Sequence, residues 1–338
     1  MSTPTFKVGS EYNEGYVPVP GGRVWYRVHG TAEATPLVVI HGGPGYPHDY
    51  LEPLAALAQD RPVVFYDQLG CGRSERPDNP SLWTVERAVL ELDALRKHLK
   101  LRRVHLYGHS WGSMVAVDYA LTWPDGLESL ILASPCISIP RWIEDAAKLR
   151  EALPEEVRQV LDDCEARGDL AAPEYLRATL EYYRHYVCRL DPKPACVVRS
   201  DNGAGAEVYT TMWGPNEFYL TGVLKDYDRS DRLGDLTVPI LYTCGAFDEA
   251  RPDTTNWYHS QSPNAAVAVF QQSSHIPHLE EQDTYLSVLN QFLKAVEHGD
   301  AIPGLVWTHR TSESRLFFTL LWFGFLLVVF FFALSRGC

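Results

Sequence analysis

Residues 104–113 have the sequence VHLYGHSWGS, and this stretch decides the fold. A short run of strand-forming residues ends in Gly-His-Ser-Trp-Gly, and the alanine-rich segment 114–121 has the composition of a helix. The pattern predicts a tight strand-to-helix turn at Ser110, where Gly108 and Gly112 prevent collisions between neighbouring side chains. G-x-S-x-G is common by chance, but the strand before it and the helix after it favour a nucleophilic serine.

Composition excludes several classes of partner. The chain has 338 residues, of which 46% are hydrophobic, enough to fill one large α/β domain with a smaller inserted domain. Its net charge of -13 would repel nucleic acid and acidic membrane surfaces, so small molecules or peptides are the expected partners. The seven cysteines are scattered without a C-x-x-C pair, which indicates reduced thiols and no zinc site. We expect neither a metal nor a cofactor.

The two ends of the chain differ in character. Residues 1–10 contain one lysine and no apolar run, so the sequence predicts no signal peptide. Residues 316–334 are nineteen residues without a charge, flanked by Arg315 and Arg336. A core helix is usually shorter and keeps a polar stripe, so this segment predicts a transmembrane helix after a linker at 299–315. The expected location is a membrane, with this helix as a tail anchor and the catalytic domain in the cytosol.

Strands and helices alternate along most of the chain. A hairpin is predicted at 15–29, and buried strands are predicted at 36–40, 62–66, 127–133, 238–244 and 265–270, with helices at 50–59, 85–99 and 282–296. Charged helical stretches interrupt this alternation. The sequence therefore predicts a mostly parallel sheet in two parts, 1–135 and 232–298, and an inserted helical cap at 136–231.

Two loops at strand ends could contribute to catalysis by the serine. His41-Gly42-Gly43-Pro44-Gly45 follows a buried strand, and in α/β hydrolases this loop supplies one backbone N–H to the oxyanion. The backbone N–H groups of Gly43 and Trp111 are therefore predicted to form the oxyanion hole. Asp67 and Arg73 follow the next strand, where a turn held by a local ion pair is favoured over a catalytic role.

An acid and a histidine are expected after the serine, in that order, each just beyond a late strand. Asp248 and His275 meet this condition, so we predict the triad Ser110, Asp248 and His275. His278 is the alternative base. Glu249 and Asp253 are the alternative acids.

Five motifs together resemble the proline iminopeptidase-like α/β hydrolases. They are HGGPG at 41–45, DQLGCGRS at 67–74, GHSWGS at 108–113, GAFDE at 245–249 and SSH at 273–275. The likeness covers residues 15–298. It implies that Glu217 and Glu249 bind the free α-amino group of the substrate. Tyr209 and Trp213 are candidate walls of the substrate pocket, although core packing would explain them equally well.

The leading hypothesis is a serine aminopeptidase that releases an N-terminal proline, or another small or apolar residue, through an acyl-enzyme. An amino-acid amidase or an esterase of the same fold is the alternative. A remote alternative is a catalytically inactive, membrane-tethered binding module, which an intact triad disfavours.

Overall fold

The computed structural model describes residues 12–300, and within this range eight strands form one sheet. The strands are β1 (Tyr12–Val19), β2 (Gly22–His29), β3 (Leu37–Ile40), β4 (Val63–Tyr66), β5 (Val104–His109), β6 (Leu127–Ala133), β7 (Ile240–Gly245) and β8 (Ala265–Phe270). Their order across the sheet is β1-β2-β4-β3-β5-β6-β7-β8. Only the pairings of β2 with β1 and with β4 are antiparallel. This confirms the predicted α/β fold with a mostly parallel sheet.

Helices cover both faces of this sheet, as the alternating sequence pattern predicts. The helices are α1 (Val85–His98), α2 (Trp111–Thr122), α3 (Ile139–Glu151), α4 (Glu155–Arg167), α5 (Pro173–Tyr186), α6 (Ala195–Gly203), α7 (Ala206–Met212), α8 (Pro252–Gln261), α9 (Pro277–Glu280) and α10 (Gln282–His298). Every residue of β3, β4, β5 and β7 is buried. Such strands are rich in apolar residues because helices shield both of their faces.

One predicted helix has a different form. The segment His48–Gln59 is a 3₁₀ helix, where the sequence predicts an ordinary helix at 50–59. Pro53 lies inside it and has no backbone N–H to give to an α-helical hydrogen bond. The segment nevertheless buries Tyr50, Leu51 and Leu54 against the rest of the fold.

Helices α3 to α7 all lie between β6 and β7, where the sequence predicts the cap. Part of this insertion has its own hydrophobic cluster, built around Leu161, Tyr175, Tyr182 and Phe218. Other insertion residues, among them Val208, belong to the main core instead. The boundaries predicted for the cap, 136 and 231, therefore remain predictions.

No helix within residues 12–300 is long and apolar enough to cross a membrane. The predicted transmembrane helix at 316–334 lies outside the described residues, as does the predicted linker beyond Asp300. Gly299 ends α10 in a left-handed conformation, with φ of 70°.

Candidate active site

Ser110 occupies the predicted turn between β5 and α2. Its φ of 53° and ψ of -121° are unusual for a residue with a side chain. A Cβ atom on Gly108 would lie 2.3 Å from the carbonyl oxygen of Gly112, and one on Gly112 would lie 2.3 Å from that of Ile40. A side chain at either position would collide with the backbone, so both positions require glycine, as the sequence indicates.

The acid and base of the predicted triad are hydrogen-bonded. His275 Nδ1 lies 2.7 Å from Asp248 Oδ1, with Asp248 in the turn after β7 and His275 in the loop after β8. Asp248 also accepts hydrogen bonds from the backbone N–H of Ala250 (2.8 Å) and from the hydroxyl of Ser134 (2.7 Å). These donors hold the carboxylate where it can fix the tautomer of His275.

Ser110 and His275 line the same cavity, but no hydrogen bond joins them among residues 12–300. Catalytic hydrogen bonds are often long in free enzymes and shorten in the complex with substrate. The geometry disfavours the alternative base, His278, whose Nε2 donates to the backbone carbonyl of Tyr50 (3.1 Å). Burial lowers the pKa of His278 to about 3, so it is neutral. The alternative acid Asp253 is largely exposed and pairs with Arg251.

The predicted oxyanion donors lie in the loop after β3 and directly after the serine. Gly43 lines the cavity with φ of 109°, a conformation that side chains rarely allow. Trp111 is the first residue of α2, and first-turn N–H groups have no partner within their helix. The Trp111 indole donates to Gln68 Oε1 (2.9 Å), and the Gln68 amide donates to the His41 carbonyl (2.9 Å). Gln68 thereby ties the two oxyanion segments together.

Asp67 has a structural role, as the sequence favours. It accepts hydrogen bonds from the Arg73 backbone N–H (2.8 Å) and from His48 Nδ1 (2.6 Å). The Arg73 guanidinium lies 3.6 Å from the same carboxylate. The side chains of His48, Asp49 and Asp67 are close enough to hold a metal ion, but Arg73 and Arg199 already pair with Asp49.

The substrate-sized space is a cavity of about 500 Å³ between the sheet edge and the helical insertion. Its walls include Gly43, Tyr46, Tyr50, Ser110, His275, Leu180, Tyr183, Val187, Tyr209, Glu217 and Glu249.

Of the two predicted pocket walls, Tyr209 lines the cavity, whereas Trp213 does not. Trp213 is 1% exposed and belongs to the main core. It packs edge-on against Trp142, with 5.5 Å between the ring centres, and Trp142 in turn contacts the His275 ring. Trp213 is therefore a core residue in this structure, and its role in substrate binding remains a prediction.

Glu217 and Glu249 both face the cavity, one from the insertion and one from the turn after β7. The Tyr209 hydroxyl donates to Glu217 Oε1 (2.7 Å). Glu249 is 2% exposed, and its Oε1 lies 3.8 Å from His275 Nε2. Its Oε2 has no hydrogen-bond partner among the described residues. The two carboxyl groups thus share a buried space with one unsatisfied oxygen.

Burial raises the pKa of Glu217, although the hydrogen bond from Tyr209 acts to lower it. Burial, together with the nearby charges of Glu217 and Asp248, raises the pKa of Glu249 well above its usual value. A carboxylate in this position lacks the solvation it would have in water. A bound cation would restore part of that stabilisation.

The basic residues of the outer cavity wall have partners of their own. Lys193 pairs with Asp201 at 3.1 Å, and the Arg189 guanidinium stacks on the Phe247 ring at 4.0 Å. They therefore leave the inner carboxyl pair available to a ligand.

Comparison with known proteins agrees with this geometry. Residues 35–282 match the α/β hydrolase fold family. A proline iminopeptidase of Heyndrickxia coagulans is 42% identical over 84% of this chain and 100% of its own length. The crystal structure of a proline iminopeptidase of Mycobacterium smegmatis aligns with a TM-score of 0.79 and 38% identity, over 85% of this chain and 99% of that one. The chain belongs to the proline iminopeptidase family.

A further solved relative, VinJ, aligns with a TM-score of 0.81 at 37% identity, over 84% of this chain and 99% of its own. The family resemblance expected from the five motifs is thereby confirmed.

Sequence reasoning missed several residues of the site. Ser134 holds Asp248, Tyr50 and Tyr183 line the cavity, and His109 contacts the His275 loop. The one available signal was the position of His109 directly before the serine. Nothing in the sequence shows which distant side chains its ring contacts.

We predict that Ser110→Ala and His275→Ala each reduce turnover by about 10⁴-fold or more, because nucleophile and base act as one unit. Asp248→Asn should have a comparable effect by disturbing the His275 tautomer. Turnover of an aminoacyl arylamide measures all three variants. Ser260→Ala, on the exposed face of α8, is the control and should retain full activity. Activity that persists in Ser110→Ala would contradict the triad.

Proposed function

We propose that the protein is a serine aminopeptidase that releases an N-terminal proline, or another small or apolar residue, from peptides. The observation that carries this proposal is the carboxyl pair Glu217 and Glu249, which faces the same cavity as Ser110. Two carboxylates in one cavity, with Glu249 buried and Glu217 half-buried, favour a substrate with a free ammonium group. A blocked amine would leave them uncompensated, which disfavours internal peptide bonds.

The proposed reaction begins with attack of Ser110 Oγ on the carbonyl carbon of the first residue. His275 takes the serine proton, while Asp248 holds the imidazole and stabilises its charge. The N–H groups of Gly43 and Trp111 stabilise the oxyanion, worth about 3 kcal/mol for each donor in comparable sites. His275 then gives the proton to the leaving amine. Water then attacks the acyl carbon while His275 takes its proton, and that proton passes to Ser110 Oγ as the free residue leaves.

An amidase would use the same carboxyl pair. The relatives named proline iminopeptidase favour peptides over simple amino-acid amides. The cavity wall also includes apolar residues of the insertion, among them Leu180, Val187 and Val197.

Replacement of Glu217 or Glu249 by glutamine tests the substrate class. Each substitution removes a charge-assisted hydrogen bond to the ammonium group, so kcat/KM for a free-amine substrate should fall roughly 10²-fold. Hydrolysis of an uncharged acyl ester should be unchanged or faster, because that ester provides no cation for the carboxylates. Glu156→Gln, on the exposed first turn of α4, is the matched control.

The ratio of the two effects decides the outcome of the glutamine test. Equal losses on amine and ester substrates would mean that the glutamates only support the fold. The protein would then be an esterase or another serine hydrolase with no preference for a free amine.

We further propose that residues 316–334 anchor the protein in a membrane, with the catalytic domain facing the cytosol. The support is the run of nineteen uncharged residues. At a rise of about 1.5 Å per residue, a helix of this length would be close to the thickness of a hydrocarbon core. Six cysteines within residues 12–300 are free thiols, which agrees with a reducing compartment.

Deletion of residues 310–338 should move the protein from the membrane pellet to the soluble fraction, because the apolar segment is removed. Turnover of soluble substrates should change little, since the described fold is complete by α10. Replacing 316–334 by an unrelated apolar segment of equal length is the control and should keep the protein in the pellet. A full-length protein that is soluble without detergent would show that this segment is not an anchor.

A further inference from the structure

His109 lies directly before Ser110, at the end of β5, and the proposed reaction does not use it. Its ring is buried, with 2% of the residue exposed, and both ring nitrogens have partners. Nδ1 lies 2.8 Å from the hydroxyl oxygen of Tyr50, and Nε2 lies 2.8 Å from the carbonyl oxygen of His275. One imidazole therefore connects Tyr50 with the backbone of the predicted base.

The groups at the two ends of this series of hydrogen bonds determine which atom donates in each bond. The Gly42 backbone N–H donates to the Tyr50 hydroxyl oxygen (2.8 Å), so the hydroxyl proton is available for His109 Nδ1. The His275 carbonyl can only accept, so the ring proton of His109 must be on Nε2. Burial, and the proximity of His275 and His278, lower the pKa of His109 well below its usual value and keep it neutral.

The two ends of the chain are the two loops that must act together on a substrate. Gly42 lies next to Gly43, the predicted oxyanion donor, in the loop after β3. The carbonyl at the other end belongs to His275 itself, in the loop after β8, and the Ser134 hydroxyl lies 3.0 Å from it. These hydrogen bonds therefore link the two loops past the end of β5, the strand that Ser110 follows.

Packing leaves this arrangement little freedom. A Cβ atom on Gly42 would lie 2.9 Å from the Tyr50 hydroxyl, 3.1 Å from Ser110 Cβ and 3.2 Å from His109 Nδ1. Tyr50 is 3% exposed, and its ring packs against that of His109, with 5.2 Å between the centres. The backbone of the oxyanion loop thus rests directly on the tyrosine, the histidine and the serine.

We propose that Tyr50 and His109 are positioning residues that hold the oxyanion loop and the catalytic histidine in register around Ser110. This proposal rests on the proposed serine chemistry and adds the hydrogen-bonded chain Gly42–Tyr50–His109–His275. Neither side chain gains or loses a proton in the reaction. Their effect comes through geometry, since a displacement of about 1 Å can reduce a rate about 10²-fold.

Tyr50→Phe tests the tyrosine, because it removes one hydroxyl and keeps the ring. It leaves Gly42 N–H and His109 Nδ1 without a partner, so kcat should fall about 10- to 100-fold while KM changes by less than about threefold. The loss should be equal for a free-amine substrate and for an uncharged acyl ester, because both form the same oxyanion.

Tyr242→Phe is the matched control for this substitution. Tyr242 is also fully buried, and its hydroxyl is hydrogen-bonded to Ser262 (2.7 Å), away from the cavity. Tyr242→Phe should lose about as much thermal stability as Tyr50→Phe but keep the kcat of the wild-type enzyme. Equal kcat values for Tyr50→Phe and the wild-type enzyme would overturn the proposal. Absence of hydrolysis by the wild-type enzyme itself would instead refute the proposed function.

Two substitutions of His109 test the other half of the chain. The glutamine of His109→Gln has one acceptor and one donor and should keep kcat within about tenfold of wild type, whereas His109→Leu should lose about 10²-fold or more. Combining His109→Leu with Tyr50→Phe should add little further loss, since both break the same chain. Additive losses, or equal losses for glutamine and leucine, would contradict the proposal. If the leucine variant does not fold, the comparison of Tyr50→Phe with Tyr242→Phe decides the outcome alone.

Discussion

The backbone turn at Ser110 is the constraint on which the rest of the site depends. A serine with φ of 53° and ψ of -121° is strained, by about 1–3 kcal/mol for such conformations, and the surrounding structure must hold it. The Ser110 N–H donates to the Ala133 carbonyl (2.9 Å), which attaches the turn to the end of β6. Close contact between Gly112 and the Ile40 carbonyl brings the oxyanion loop against the turn. The same turn therefore exposes the nucleophile and positions its partners.

In the proposed function, charge gives the catalytic arrangement its selectivity for a free amine. Burying a carboxylate without a partner is unfavourable, and Glu249 has an oxygen with no partner among residues 12–300. The cap contributes Glu217 and the core contributes Glu249, so the pair exists only when the insertion covers the sheet edge. A substrate ammonium group supplies the missing charge. We expect selection of a free N-terminus, because an uncharged substrate would leave the buried carboxylate without a partner.

The parts of the site that depend on local pattern could be predicted from the sequence. Ser110, Asp248 and His275 each follow a strand, and strand ends of a parallel sheet meet at one edge, so their order along the chain was enough. Glu217 lies on an irregular part of the insertion, and only the family resemblance indicated its role. The structure brings it to the same cavity wall as Glu249.

Other features depend on tertiary packing, which the sequence pattern does not encode. Trp213 follows α7, which ends at Met212, and only tertiary packing decides that Tyr209 lines the cavity while Trp213 belongs to the main core. The partners of His109 are 59 and 166 residues away in the chain. The helix predicted at 50–59 has 3₁₀ form, which the apolar spacing alone does not indicate.

Proton release on cation binding tests the central claim most directly. The inactive Ser110→Ala variant would be titrated calorimetrically with prolinamide, in buffers of different ionisation enthalpy, from about pH 4.5 to 7.5. The raised pKa values of Glu217 and Glu249 favour protonated carboxyl groups in the free site, and a bound ammonium group lowers those pKa values. Binding should therefore release protons, and affinity should increase with pH until the carboxyl pair is ionised. Adding Glu249→Gln should remove most of this release, whereas affinity independent of pH, or release unchanged by that substitution, would contradict the account.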